Sequence, residues 1–265
     1  MVIFRRIPQT YPGYASQFFK HFVSGNWSNG PAITEFEKKF SEYIGSQYSI
    51  CTSYGLHAFA LILKYYGFNE KTEILIPGYT AVVVTMALDE LKIPYRCVDI
   101  DFERGTLCAE DLRKKITPQT KGVLLTHLLG NVCDESAFQV ARENGLVIIE
   151  DCAHSHGATV GGQHTGTLGH AGFYSFSYVK LMNTFTGGML VTNDPLLSEF
   201  ARAELEETRE QNRIQLLRKF FTGHIEIFLF HSGILRLIKP FLGSQKTTFF
   251  LRKLLRKLTD RKSVV

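Results

Sequence analysis

From residue 33 to about 200, short apolar runs rich in β-branched side chains alternate with stretches whose apolar positions recur every three or four residues. The first kind of run suits strands, and the second suits helices with one buried face. Strands are predicted at 47–52 (QYSICT), 73–76 (EILI), 94–99 (PYRCVD), 121–126 (KGVLLT), 146–150 (LVIIE), 172–177 (GFYSFS) and 188–192 (GMLVT). PAITEFEKKFSEYIG puts Ile33, Phe36, Phe40 and Tyr43 on one helical face and ends at Gly45, a residue able to close a helix in the left-handed conformation. Residues 55–67 and 80–92 are more apolar and read as core-facing crossover helices, while AEDLRKKI and DESAFQVARENG supply two more, the second closed by Gly145. This alternation predicts an α/β fold of three layers: a mostly parallel seven-stranded sheet flanked by helices.

In such sheets ligands sit beyond the carboxyl ends of the strands, in the loops that follow them. That rule selects 52–57, 77–81, 127–131, 151–157 and 175–188 as the places where chemistry is expected.

Composition narrows the class without changing it. With 265 residues, 45% of them hydrophobic and 21% charged, the chain has material for one large core. It carries no run near the ~18 to 20 uncharged apolar residues of a membrane-crossing helix. Its five cysteines are scattered and form no CxxC pair, so neither a disulfide framework nor a zinc ribbon is suggested, and a reducing, cytoplasmic setting fits. The net charge of +5 conceals an asymmetry: from Arg213 onward twelve lysines and arginines face only Glu226 and Asp260, a balance of +10 that leaves −5 for the rest. We therefore expect a boundary near 210, with a body at 1–210 and a basic helical tail at 211–265. In FFLRKLLRKL the leucines at 251, 254, 255 and 258 line one side and the basic residues the other. That pattern suits peripheral contact with an anionic membrane surface, and equally packing on the body or on a partner. Nucleic acid is disfavoured, because the aromatics interleave with leucines and no binding motif is present.

Four loops carry candidate chemistry. Gly55 and Leu56 stand where a strand passes into a helix, so their amides either face a bound anion or form a tight turn. Asp151 follows a hydrophobic strand, where a buried carboxylate needs a cationic partner such as a pyridinium nitrogen, unless it caps the next helix. Lys180, after the strand 172–177 and near Phe176, Tyr178 and Phe185, is either an ordinary solvated lysine or one partly desolvated, the sort whose pKa falls far enough for imine chemistry; its company with Ser175 and Gly187-Gly188 favours the second. Ser175 offers a hydroxyl to a phosphate, and Gly187-Gly188 lets the chain pass close to a ligand. His154, His156, His164 and His170 fall within seventeen residues. Their spacing lacks the helical i, i+4 geometry of zinc sites, and roles as cofactor contact or loop residues are expected in place of metal binding.

In order along the chain, GNWSNGPAITEFEKKFSEYIG, IPGYT, VDIDFERGTLCAEDLRKKITPQTKGVLLTHLLGN, IIEDCAHSHGA, GTLGHAGFYSFSYVK and TGGMLVTND resemble the DegT/DnrJ/EryC1/StrS family of sugar aminotransferases, fold-type I enzymes dependent on pyridoxal 5′-phosphate (PLP). The resemblance covers roughly 25–205 and includes the 29-residue interval from Asp151 to Lys180. It implies that Lys180 holds the cofactor as a Schiff base and shuttles the proton, that Asp151 pairs with the ring nitrogen, and that His154 lies near the ring. It also implies that Ser175 and the amides of Gly55 and Leu56 hold the phosphate. The implied reaction moves an amino group, typically from glutamate, to a keto group on a nucleotide-linked sugar, in a homodimer. The chain departs from the family at Leu56, where a hydroxyl residue is usual, at Ala81, where an aromatic often stacks on the ring, and after 210, where a small domain is expected. A non-catalytic relative, or a fragment completed by another chain, is the other reading.

Overall fold

The computed structural model describes residues 12–24, 30–177 and 180–207, together with Leu217, Phe220 and Phe221. The expected boundary near 210 and, apart from those three positions, the basic tail lie outside the described residues, as does Tyr178.

Seven strands form one sheet and two a separate hairpin. The sheet contains β1 (Tyr48–Thr52), β2 (Glu73–Pro77), β3 (Tyr95–Val98), β4 (Thr120–Thr126) and β5 (Val147–Asp151). After the small antiparallel hairpin of β6 (Thr159–Val160) and β7 (Gln163–His164) it is completed by β8 (Ala171–Ser175) and β9 (Gly188–Thr192). The spatial order is β1-β9-β8-β5-β4-β2-β3. From β8 to β3 every pairing is parallel, whereas β9 runs antiparallel to both β8 and β1. All seven strands expected from the hydrophobic pattern form, each within two residues of its expected limits.

The helices α2 (Pro31–Ile44), α3 (Gly55–Tyr65), α4 (Val82–Glu90), α5 (Ala109–Lys115) and α6 (Glu135–Glu143) also lie where periodicity puts them. The pattern missed α1 (Tyr14–Val23), which buries none of its residues, and α7 (Pro195–Glu207), which buries only Leu197, Ser198 and Ala201. No described helix is long and apolar enough to cross a membrane.

Side chains alternate across a strand, so each strand feeds two cores. Ile74, Ile76, Leu124, Ile149, Phe173 and Leu190 pack with α3, α4 and α7 on one face. Leu75, Val123, Leu125 and Ile148 pack with α5 and α6 on the other, where Tyr174, Met189 and Val191 meet Phe40 and Ile44 of α2. The same parity decides what happens at the strand ends. Thr126, Asp151 and Ser175 continue the series that begins with Leu124, Ile149 and Phe173, so all three belong to the face covered by α3.

Candidate active site

The parallel register pairs Thr126 with Asp151 across β4 and β5. Asp151 is 6% exposed, and its Oδ1 accepts the amide of Ala153 at 3.0 Å. Burial pushes its carboxyl above the usual range, against the opposing pull of that hydrogen bond and of the nearby Lys180 charge. The turn that follows carries His154, half-buried, whose carbonyl lies next to Gly130 of the loop after β4.

The start of α3 comes to the same place because two glycines permit it. A Cβ on Gly188 would lie 2.4 Å from the Gly55 nitrogen, and one on Gly55 would lie 3.2 Å from the Ser175 Cβ. Antiparallel β9 thus begins beside the ends of both β1 and β8, pairing Gly188 with Thr52 and Ser175. The first amides of a helix have no intrahelical acceptor and carry the positive end of its dipole. Gly55 and Leu56 therefore present two such amides beside Ser175, a cradle that suits a phosphate.

Lys180 follows β8 in a loop closed at its neck by Phe176 N–H to Gly187 O (2.9 Å) and Thr184 N–H to Phe176 O (3.0 Å). Its own amide donates to Ser177 O at 2.9 Å, and the hydroxyl of Thr186 ties the loop to Ser53 O at 3.1 Å. Of the rings expected around the lysine, Phe176 packs on Phe36 and Phe40, and Phe185 packs on Tyr14 and Phe220.

Behind this crevice, on the opposite face of β5, lies a buried polar network that sequence reasoning did not single out. Glu150 accepts the amides of Gly166 (2.7 Å), Leu168 (2.8 Å) and Gly169 (2.7 Å), and its Oε2 meets His127 Nε2 at 2.8 Å. His127 Nδ1 accepts the Cys133 amide at 3.1 Å, which leaves the ring proton on Nε2, facing the carboxylate. The available signal was an acid at a position of the strand that must be buried, since such a group demands several donors. His127, Glu150 and Cys152 bring ligand atoms within 4.8 Å of one another. Both Glu150 oxygens and both His127 nitrogens are engaged in hydrogen bonds, and burial pushes the Cys152 thiol up to about 11, so the cluster serves as structure. The four histidines stand apart, in line with separate loop roles: His170 Nδ1 accepts the Ile148 amide, His156 packs on Tyr174 and His164 on Tyr43, while His154 lies in the turn after Asp151.

Two polar atoms test whether this crevice fits a cofactor. The hydroxyl oxygens of Thr126, beside Asp151, and of Thr80, beyond the end of β2, are buried with no hydrogen-bond partner. Orphaned hydroxyls are costly in a protein interior and suit a polar ligand above them. With a buried carboxyl, a lysine loop and an anion cradle on one face, the residues present fit a phosphorylated, cationic-ring cofactor such as PLP.

Sheet order, crossovers and crevice together are those of the large domain of fold-type I PLP-dependent transferases. The chain belongs to the DegT/DnrJ/EryC1/StrS aminotransferase family, whose model matches residues 15–219. It is 34% identical over 188 residues to a GDP-perosamine synthase of Escherichia coli O157:H7, covering 70% of this chain and 52% of that protein. It is 32% identical over 198 residues to a dTDP-3-amino-3,6-dideoxy-alpha-D-galactopyranose transaminase of Aneurinibacillus thermoaerophilus, covering 74% and 54%. Among solved structures, DesI in the presence of its TDP-sugar product superposes with a TM-score of 0.69 at 29% identity, over 75% of this chain and 51% of that one. The chain spans about half the length of these relatives.

Proposed function

We propose that the protein is a PLP-dependent aminotransferase that transfers an amino group, from glutamate, to a keto group of a nucleotide-linked sugar in polysaccharide or glycoside biosynthesis. The observation that carries this reading is the meeting of Asp151, Ser175, the start of α3 and the Lys180 loop on one face of the sheet ends. The relatives' names, a perosamine synthase and a dTDP-sugar transaminase, support the substrate class.

The geometry supports the roles that the family resemblance implies. Bound PLP supplies an electron sink at the carbon that gains or loses the amino group. Asp151, a buried carboxyl with one described backbone donor, would pair with the ring nitrogen and keep it protonated. Gly55, Leu56 and Ser175 would hold the phosphate, His154 would stand near the ring, and Lys180 Nζ would hold the cofactor and serve as the proton-transfer group at the substrate carbon. Exposed Tyr79, Val82 and Met86 flank Thr80 and leave an apolar rim that a second copy covers, so we assign a homodimer. The setting we assign is the cytoplasm, with 1–210 as the cofactor-binding body and 211–265 as the tail.

The test is spectroscopic. PLP added to the purified protein should give a band near about 420 nm that borohydride bleaches and that Lys180→Ala lacks. Glutamate should then discharge it. A protein without the band refutes the cofactor assignment, and a band that no amino donor alters refutes turnover.

A further inference from the structure

Phe185 has a backbone that its side chain does not favour. Its φ is 65°, in the left-handed region that bulky residues rarely occupy, and its amide is held there by Asn183 Oδ1 at 2.7 Å. Its ring is 9% exposed although the loop around it is at the surface, because it enters a cluster drawn from three distant stretches of chain. Tyr14 of α1 lies 4.7 Å away by ring centroids and Phe220 5.8 Å away. Phe220, 4% exposed, stacks in turn on Phe18 at 3.7 Å and on Tyr14 at 6.0 Å, and meets Phe19 edge-on at 5.4 Å. Helix α1 buries nothing in the three cores of the sheet, so this aromatic cluster is its described attachment to the body.

We propose that Phe185 is a positioning residue for Lys180: docked between Tyr14 and Phe220, it holds the segment 180–187 in the shape that directs the lysine to the Asp151 crevice. This rests on the assignment of Lys180 above. The mechanical argument is independent of it. The neck of this loop is hydrogen-bonded between Phe176 and both Thr184 and Gly187, and beyond it the described segment 180–187 is shaped by the Phe185 amide on Asn183 Oδ1 and by the Phe185 ring. A strained backbone persists only where its surroundings over-determine it. Here the surroundings of Phe185 are the aromatic rings, which link α1 and the chain at residue 220 to the cofactor lysine.

Each aromatic pair of this geometry shifts an equilibrium by roughly two- to tenfold. Phe220→Ala in the full chain, which leaves the loop's own sequence intact, should raise amide hydrogen exchange across 180–187 by about tenfold and raise the PLP concentration for half-saturation of the band about as much. Phe185→Gly relieves the backbone strain and removes the ring but also frees the backbone, so its loss should be at least that of Phe220→Ala, and Phe185→Tyr should restore the wild-type values. The double variant should lose no more than Phe185→Gly alone, because both break one unit. Wild-type exchange in Phe220→Ala, or losses that multiply in the double variant, overturns the proposal. If Phe185→Gly does not fold, Phe220→Ala decides alone. If the wild-type protein forms no band, the cofactor reading fails while the exchange experiment still decides whether the latch exists.

Discussion

The two sides of the crevice are built by different physics. On the Asp151 side the chain is fixed in every direction: Asp151 O accepts the His127 amide at 3.1 Å, the Cys152 amide donates to Phe173 O at 2.9 Å, and Glu150 gathers three backbone amides and a histidine. Gly172 lets the 165–169 segment lie directly on β8, where a Cβ would come within 2.6 Å of the Gly166 Cα. On the Lys180 side the loop has a neck of a few hydrogen bonds and aromatic packing beyond it. The difference lies in what does the holding: buried hydrogen bonds within the sheet and its turns on the Asp151 side, and on the described part of the Lys180 loop a hydrogen-bonded neck with aromatic rings from distant parts of the chain packed against it.

The comparison breaks most severely at Glu150. Glu150→Gln keeps the volume, yet it turns an amide donor toward backbone donors and removes the charge that His127 faces. We expect a loss of about 3 to 5 kcal/mol, the usual scale for breaking a fully buried ion pair or its hydrogen-bonded equivalent, read as a lower denaturant midpoint. A loss under ~1 kcal/mol would show that the rigidity of this side comes from packing and owes little to the network.

Asp151→Asn sharpens the contrast between stability and use. Because burial raises the folded-state pKa of this carboxyl, the native protein binds a proton more tightly than the unfolded chain does. Its contribution is therefore intact below the ordinary carboxyl value of 3.8 and is lost as pH rises from there through the raised folded value. At neutral pH, above the value at which the unfolded chain releases this proton, burying the carboxyl costs the cofactor-free protein stability, so Asp151→Asn should raise its stability by about 1 kcal/mol, a few degrees in Tm, while abolishing the PLP band. The gain should vanish near pH 3. A variant that is less stable at neutral pH would mean that the carboxylate is better paired without cofactor than its surroundings indicate.

The fixed side was also the legible one. Short β-rich apolar runs located all seven strands, and the rule that ligands sit beyond strand ends directed attention to the loops of Gly55, Asp151 and Ser175 before any contact was known, because strand parity and crossover direction follow from the backbone alone. Lys180 was legible by its interval from Asp151 within a resembled pattern. What the sequence did not disclose are contacts made across long separations without periodicity. Helix α1 has no core of its own to mark it, Phe185 looks like any loop aromatic until its φ and its neighbours from 14 and 220 are seen, and Glu150 reads as a strand residue until three amides from 166–169 turn out to converge on it. The orphaned hydroxyl of Thr126 was equally silent, since a threonine in a strand is ordinary.

That hydroxyl supplies the smallest and cleanest test. Thr126 Oγ1 is buried on the fixed side with no protein partner, and valine replaces it with a methyl of nearly the same size. Without cofactor, Thr126→Val should leave stability unchanged or raise it by up to about 1 kcal/mol, since a buried hydroxyl without a partner costs about that much. With cofactor the sign should reverse: if the hydroxyl faces the ligand beside Asp151, PLP half-saturation should weaken by roughly two- to tenfold, the worth of one hydrogen bond. Equal binding in the two proteins would mean the threonine is structural and the ligand sits higher in the crevice, toward the Lys180 loop. Because Thr126 lies on the Asp151 side, its variant should leave amide exchange at 180–187 untouched, which separates an effect on the ligand from one on the loop.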